Sequence, residues 1–225
     1  MTSTAPIRGL IFDFDGLIVD TETAIYDAWR ELYATFGQEL HLADYVRCVG
    51  SDFAQYNPQS VLEERHGSPI EWESHLGKKD ARVREWLDAQ DTRPGFRELI
   101  AEAVATDVPR AVASSSSRDW VGSWLEKLAL APHFPEIRCR DDVARIKPEP
   151  DLFLAAAEAI GVDPSEALVL EDSENGLRAA HAAGIRCVII HNPITAGGTF
   201  PGALARFDSF AAVGGLQKLL ALGGA

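Results

Sequence analysis

The chain opens with a short apolar run, Ile7-Arg8-Gly9-Leu10-Ile11-Phe12, that stops abruptly at Asp13, Asp15 and Gly16. A buried parallel strand running into a loop has this form. The period then changes. Ile25, Ala28, Trp29, Leu32, Tyr33 and Phe36 recur at helical spacing up to Gly37, a residue type that closes helices. From there to about Gln90 every signal is helical: Leu42 to Val49, Val61 to His66 before Gly67, and a segment through Val83, Trp86 and Leu87. Asp91-Thr92-Arg93-Pro94-Gly95 predicts a turn-forming linker.

Beyond the linker, strands and helices alternate. Phe96 to Val104 predicts a helix, Arg110 to Ala113 a strand, Trp120 to Leu128 a helix, and Ile137 marks a short strand. Asp151 to Ile160 predicts a helix before Gly161, Ala167 to Leu170 a strand, Gly176 to Ala183 a helix before Gly184, and Cys187 to Ile190 a strand. This alternation predicts an α/β fold, a three-layer doubly wound Rossmann-like parallel sheet with helices on both faces. Residues 1–20 and 92–225 are expected to form that core and residues 21–91 a small helical domain inserted after the first strand. Such an insertion would sit over the C-terminal edge of the sheet, where open α/β sheets bind ligands.

Composition narrows the function classes. With 46% hydrophobic and 24% charged residues the chain is ordinary for a soluble protein, and no run approaches the roughly 18 apolar residues of a membrane span. The early apolar run is broken by Asp13 and Asp15, unlike a secretory signal, so the cytoplasm is the default location. Cys48, Cys139 and Cys187 are odd in number and far apart, which argues against a disulfide framework or a thiolate metal site. The six histidines are scattered, with no two at metal-ligand spacing. A net charge of −13 repels nucleic acid, and any phosphate site must be made locally positive by a metal, a lysine or helix N-termini.

Four strand or helix boundaries bear candidate chemistry. Asp13-Phe14-Asp15-Gly16 sets two carboxylates just past a buried strand, where they repel unless a cation is near; a solvated acidic turn is the plain alternative. Ser114, followed by Ser115, ends the second strand and has a hydroxyl that can donate to an oxyanion or cap a helix. Lys147 stands between Ile146 and Pro148 before a helix, as an ammonium fixed for a phosphate would. Glu171 and Asp172 form a second acidic pair at a strand end. If both strands are central, four carboxylates crowd one sheet edge, which calls for a hard, oxygen-loving cation such as Mg2+.

Together, Asp13-Phe14-Asp15-Gly16, Ser114, Lys147 and Glu171-Asp172 resemble, in order, the four motifs of the haloacid dehalogenase superfamily, and residues 21–91 resemble its helical cap. The resemblance covers nearly the whole chain. It implies a Mg2+-dependent phosphatase in which Asp13 attacks phosphorus and forms an aspartyl phosphate, while Asp15 acts first as general acid and then as general base. It further implies metal ligation by Asp13, the Asp15 backbone carbonyl, Asp172 and Glu171, and phosphate binding by Ser114, Ser115 and Lys147. The expected substrate is a small phosphorylated metabolite, such as a sugar phosphate. Thr21 and Thr92-Arg93-Pro94 are candidate hinges, and Tyr45, Arg47, Phe53, Gln55, Tyr56 and Trp72 are candidate specificity residues of the cap.

A phosphomutase of the beta-phosphoglucomutase kind is the alternative, and a non-catalytic phosphometabolite-binding protein a remote one. Against the mutase, Ile25 stands where mutases have a cap histidine, Phe53 about where they have a phosphate-gripping arginine, and Ser117 where they have a lysine, with Arg118 next to it as a partial replacement. Loss of a distal phosphate grip favours hydrolysis.

Overall fold

The computed structural model describes residues 5–224; residues 1–4 of the expected core segment and Ala225 lie outside it. Six strands form one sheet: β1 (Gly9–Phe12), β2 (Arg110–Ala113), β3 (Glu136–Arg138), β4 (Ala167–Glu171), β5 (Arg186–Ile190) and β6 (Ala205–Phe207). Their order is β3-β2-β1-β4-β5-β6, and every neighbouring pair is parallel. The chain winds outward from β1 in one direction, then returns to β4 and winds outward in the other. The crevice at such a reversal lies beyond the C-terminal ends of β1 and β4, where Phe12 is in register with Leu170. Asp13 and Glu171 are therefore neighbours because of the topology.

Side chains alternate across each strand, so the two faces have separate cores. Leu10, Phe12, Val112, Leu170 and Val188 pack against α5 (Phe96–Ala105), α6 (Arg118–Lys127), α9 (Phe210–Val213) and α10 (Leu216–Ala221). Ile11, Ala111, Val169, Cys187 and Ile189 pack against α7 (Asp151–Ala159) and α8 (Glu174–Ala182). The elements β6, α9 and α10 are absent from the sequence expectation. Three to six residues are too few to display a period.

Four helices follow β1: α1 (Thr21–Thr35), α2 (Leu42–Tyr45), α3 (Pro58–His66) and α4 (Trp72–Asp88). They bury a third apolar cluster built on Trp29, Leu32, Tyr33, Tyr45 and Leu62, joined by Ile194 from the loop after β5. Helix α1 begins at Thr21 because the Asp20 side chain accepts from Thr23 N. Helix α2 is shorter than the expected Leu42–Val49, since turns carry the chain from Val46 to Gly50, whose φ of 75° is outside the helical region.

The two connections between this helical layer and the sheet meet at Arg93, whose backbone N–H donates to Ile18 O at 2.8 Å. Its buried guanidinium donates to the carbonyls of Gly16, Ile190, His191 and Asp208 at 2.6–3.0 Å. Four carbonyl acceptors offset much of the cost of burying the charge. Of the expected hinge segment, Arg93 is thus pinned to the loops after β1, β5 and β6.

Candidate active site

Each strand end delivers its side chain to the same crevice. The Lys147 ammonium is fully buried, donates to Asp13 Oδ1 and to Glu171 Oε1 at 2.8 Å, and sits 4.7 Å from the centre of the Phe153 ring. Glu171 Oε2 accepts from the backbone N–H groups of Asp172 and Ser173 and from Ser173 Oγ, at 2.7–2.9 Å. Both Glu171 oxygens are therefore occupied. Asp172 differs: its Oδ2 accepts from Asn192 Nδ2 at 2.6 Å, but its Oδ1 is buried with no hydrogen-bond partner among the described residues.

One ammonium thus faces three carboxyls, each with an oxygen within 4.8 Å of the others. Burial pushes the Asp13 pKa up to about 8; Lys147 pulls it back, while Glu171 and Asp15 add repulsion. Burial first, then Glu171, Asp13 and Glu22, hold Asp172 well above the usual carboxylate range. Burial opposes the charge on Lys147, but Asp13 and Glu171 outweigh it and keep its pKa above the ordinary value. The excess of negative charge and the orphaned Asp172 Oδ1 fit a bound cation. An all-carboxylate donor set, without sulfur or imidazole, fits a hard ion of the Mg2+ type.

Asp15 is fixed by four donors. Thr21 Oγ1 and Trp120 Nε1 donate to Oδ1 at 3.0 and 2.8 Å, and Ser116 Oγ and Ser114 Oγ to Oδ2 at 2.6 and 3.3 Å. The expected phosphate residue Ser114 therefore faces Asp15, whereas Ser115 Oγ donates to Gly50 O of the helical layer at 3.1 Å. A Cβ at Gly50 would lie 2.2 Å from Ser173 Oγ, so only glycine allows this close approach.

A cavity of about 690 Å³ lies between the strand ends and the helical layer, with Asp13, Asp15 and Ser114 on one side. Of the six candidate specificity residues, Tyr45 and Phe53 line it. Gln55 instead donates to Asn175, Trp72 donates to Glu63, Tyr56 meets Tyr33, and the Arg47 carbonyl accepts from Asn175. Ile25 lines the cavity; Ser117 also lines it, but its side chain caps α6. Arg118 is held by both oxygens of Asp142 at 2.6 and 2.7 Å and is not among the residues lining the cavity. Arg140 lines the cavity instead, its Nε donating to Ser115 O.

Three participants escape the sequence reading. Trp120 looks like core by its helical spacing, yet its N–H is an Asp15 donor. Asn192 lies two residues beyond β5, and that strand-end position was the available signal. Glu22, from the first turn of α1, is buried beside the acidic pair, and burial followed by the charges of Asp15, Asp13 and Asp20 pushes it up to about 8.

Comparison with known proteins agrees with this geometry. The family model described as haloacid dehalogenase-like hydrolase matches residues 10–190. The chain belongs to that family. YhcW of Bacillus subtilis is 37% identical over 205 residues, covering 91% of this chain and 93% of its own. The fructose-1-phosphate phosphatase YqaB of Escherichia coli is 30% identical over 181 residues, 80% of this chain and 94% of its own. The crystal structure of a point mutant of CbbY from Rhodobacter sphaeroides, in complex with xylulose-(1,5)bisphosphate, is 30% identical. It covers 95% of this chain and 99% of its own with a TM-score of 0.75. The protein is accordingly an enzyme of the phosphatase type within this family. Beta-phosphoglucomutases are also among its structural neighbours, at 22–24% identity, where the likeness is one of fold. Among the described residues no helix is long and apolar enough to cross a membrane.

Proposed function

We propose that the protein hydrolyses the phosphate monoester of a small phosphorylated metabolite through an aspartyl phosphate on Asp13. The observation that supports this best is the pairing of a buried Asp13, held by Lys147, with a separately held Asp15 on the same cavity wall. An Asp13 oxygen attacks phosphorus in line, the ester P–O bond breaks, and Asp15 gives its proton to the departing alcohol oxygen. Asp15 then takes a proton from the water that attacks the acyl phosphate, releasing phosphate and restoring Asp13. Lys147 and the Ser114 hydroxyl are assigned to hold the phosphoryl oxygens, over which charge spreads in the transition state.

Asp13, the Asp15 carbonyl and Asp172, through its free Oδ1, are the residues that would hold Mg2+. The bound ion supplies charge neutralisation between the nucleophile and the phosphate dianion. Glu171, with both oxygens engaged, is assigned to orient Lys147 and the 172–173 backbone behind these ligands. Helices α1–α4 act as a cap over residues 21–91, excluding water while the first step runs. A relative named as a fructose-1-phosphate phosphatase and one crystallised with xylulose-(1,5)bisphosphate support a sugar phosphate as substrate.

The test is phosphate release from a panel of sugar and polyol phosphates with Mg2+. Release abolished by chelation and by Asp13→Asn is expected. Interconversion of hexose phosphates without release would establish the mutase instead.

A further inference from the structure

The cavity contains one buried carboxyl that phosphoryl transfer leaves unused. Glu22 is 7% exposed and lines the cavity together with Asp13 and Asp15. Among the described residues its one hydrogen bond is from the Tyr45 hydroxyl to Oε2, at 3.5 Å. Oε1 has no donor among the described residues, and the charges acting on the carboxyl most strongly are those of Asp15, Asp13 and Asp20. On the α1 side of the cavity, with one oxygen unengaged, it is placed to hydrogen-bond the part of the substrate beyond the phosphate. The side chains next to it on the wall, Ile25, Trp29 and Tyr45, are apolar or aromatic, and the Lys79 ammonium lies 5.1 Å from the centre of the Trp29 ring. A carboxyl accepting hydrogen bonds, set among aromatic faces, matches the donors and C–H faces of a polyol. The volume, about 690 Å³, leaves room for a carbon skeleton beyond the phosphate.

The geometry points to Glu22, steadied by Tyr45, as the specificity residue that accepts hydrogen bonds from the substrate hydroxyls nearest the phosphoester. The substrate class is then a phosphomonoester with a hydroxyl on the carbon next to the ester carbon. This rests on the phosphatase reading above and adds the part of the substrate that the cavity selects.

The test compares kcat/KM for three probes: a hexose phosphate with that neighbouring hydroxyl, its deoxy analogue, and p-nitrophenyl phosphate, which has no hydroxyl to offer. For Glu22→Ala the ratio of hexose phosphate to aryl phosphate is expected to fall about 2- to 10-fold, as loss of one hydrogen bond gives. The loss should lie mainly in KM, and the deoxy analogue should lose less than its parent. An unchanged ratio, whether both activities fall together or neither falls, overturns the assignment. Binding gives a second readout: in an Asp13→Asn background, Glu22→Ala should weaken hexose phosphate binding and leave inorganic phosphate binding in place. Equal weakening of both would also overturn it. Absence of hydrolysis of every probe by the wild-type enzyme would count against the phosphatase reading itself, while the binding comparison still judges Glu22.

Discussion

At the residue scale, the site is organised by what each carboxyl lacks. Asp15 has four donors, Glu171 has four, and Asp172 has one buried oxygen with none. These differences assign separate tasks to chemically similar groups. Asp15→Asn removes the proton carrier and is expected to lower kcat by about 10²–10⁴-fold with an alkyl phosphate, read by steady-state kinetics. The loss should shrink with an aryl phosphate, whose leaving group needs less protonation; an equal loss would mean that Asp15 acts otherwise. Asn192→Ala frees the Asp172 carboxylate to rotate, so the Mg2+ concentration giving half-maximal thermal stabilisation should rise about 10- to 100-fold. An unchanged midpoint would show that Asn192 does not position Asp172.

At the scale of elements, the strands that end in functional residues were legible because each is a short apolar run cut off by a polar residue. Phe12 before Asp13 and Leu170 before Glu171 are the clearest cases. The insertion was legible because helical periodicity is unbroken by any strand signal from Ile25 to Leu87. Contacts between elements were not legible, since periodicity locates a face and says nothing of its partner. Gly50 approaching Ser173, and Trp120 turning its N–H toward Asp15, are of that kind. Arg93 joins three loops through four carbonyls, and Arg93→Met leaves those acceptors without donors in a buried place. A stability loss of about 2–4 kcal/mol by denaturant titration is expected. A change below about 0.5 kcal/mol, the range of ordinary surface substitutions, would show the network to be dispensable.

For the whole molecule, charge links metal, pH and stability. In the metal-free fold Asp13 and Glu22 keep their protons up to about pH 8, whereas the unfolded chain loses them at the ordinary carboxylate values of 3.8 and 4.5. The native state then binds more protons than the unfolded state across that window, so stability falls as pH rises through it. Metal-free protein should melt at a lower temperature at about pH 8 than at about pH 5.5. Added Mg2+ should raise the melting temperature more at the higher pH, because there it displaces fewer protons. A metal effect independent of pH would mean that the acidic cluster does not bind the ion. That such a cluster exists was readable from two acidic pairs at two strand ends. That its negative charge exceeds what Lys147 balances required the packed structure.

The claim on which the account depends is that Asp13 becomes covalently phosphorylated. The direct measurement is rapid acid quenching of the enzyme during turnover of a hexose phosphate with Mg2+, followed by mass spectrometry of the peptide containing Asp13. The account predicts one added phosphoryl group on Asp13, lost on treatment with base and absent in Asp13→Asn. Turnover at a measurable rate with Asp13→Asn, or a phosphoryl group found on another residue, would contradict it.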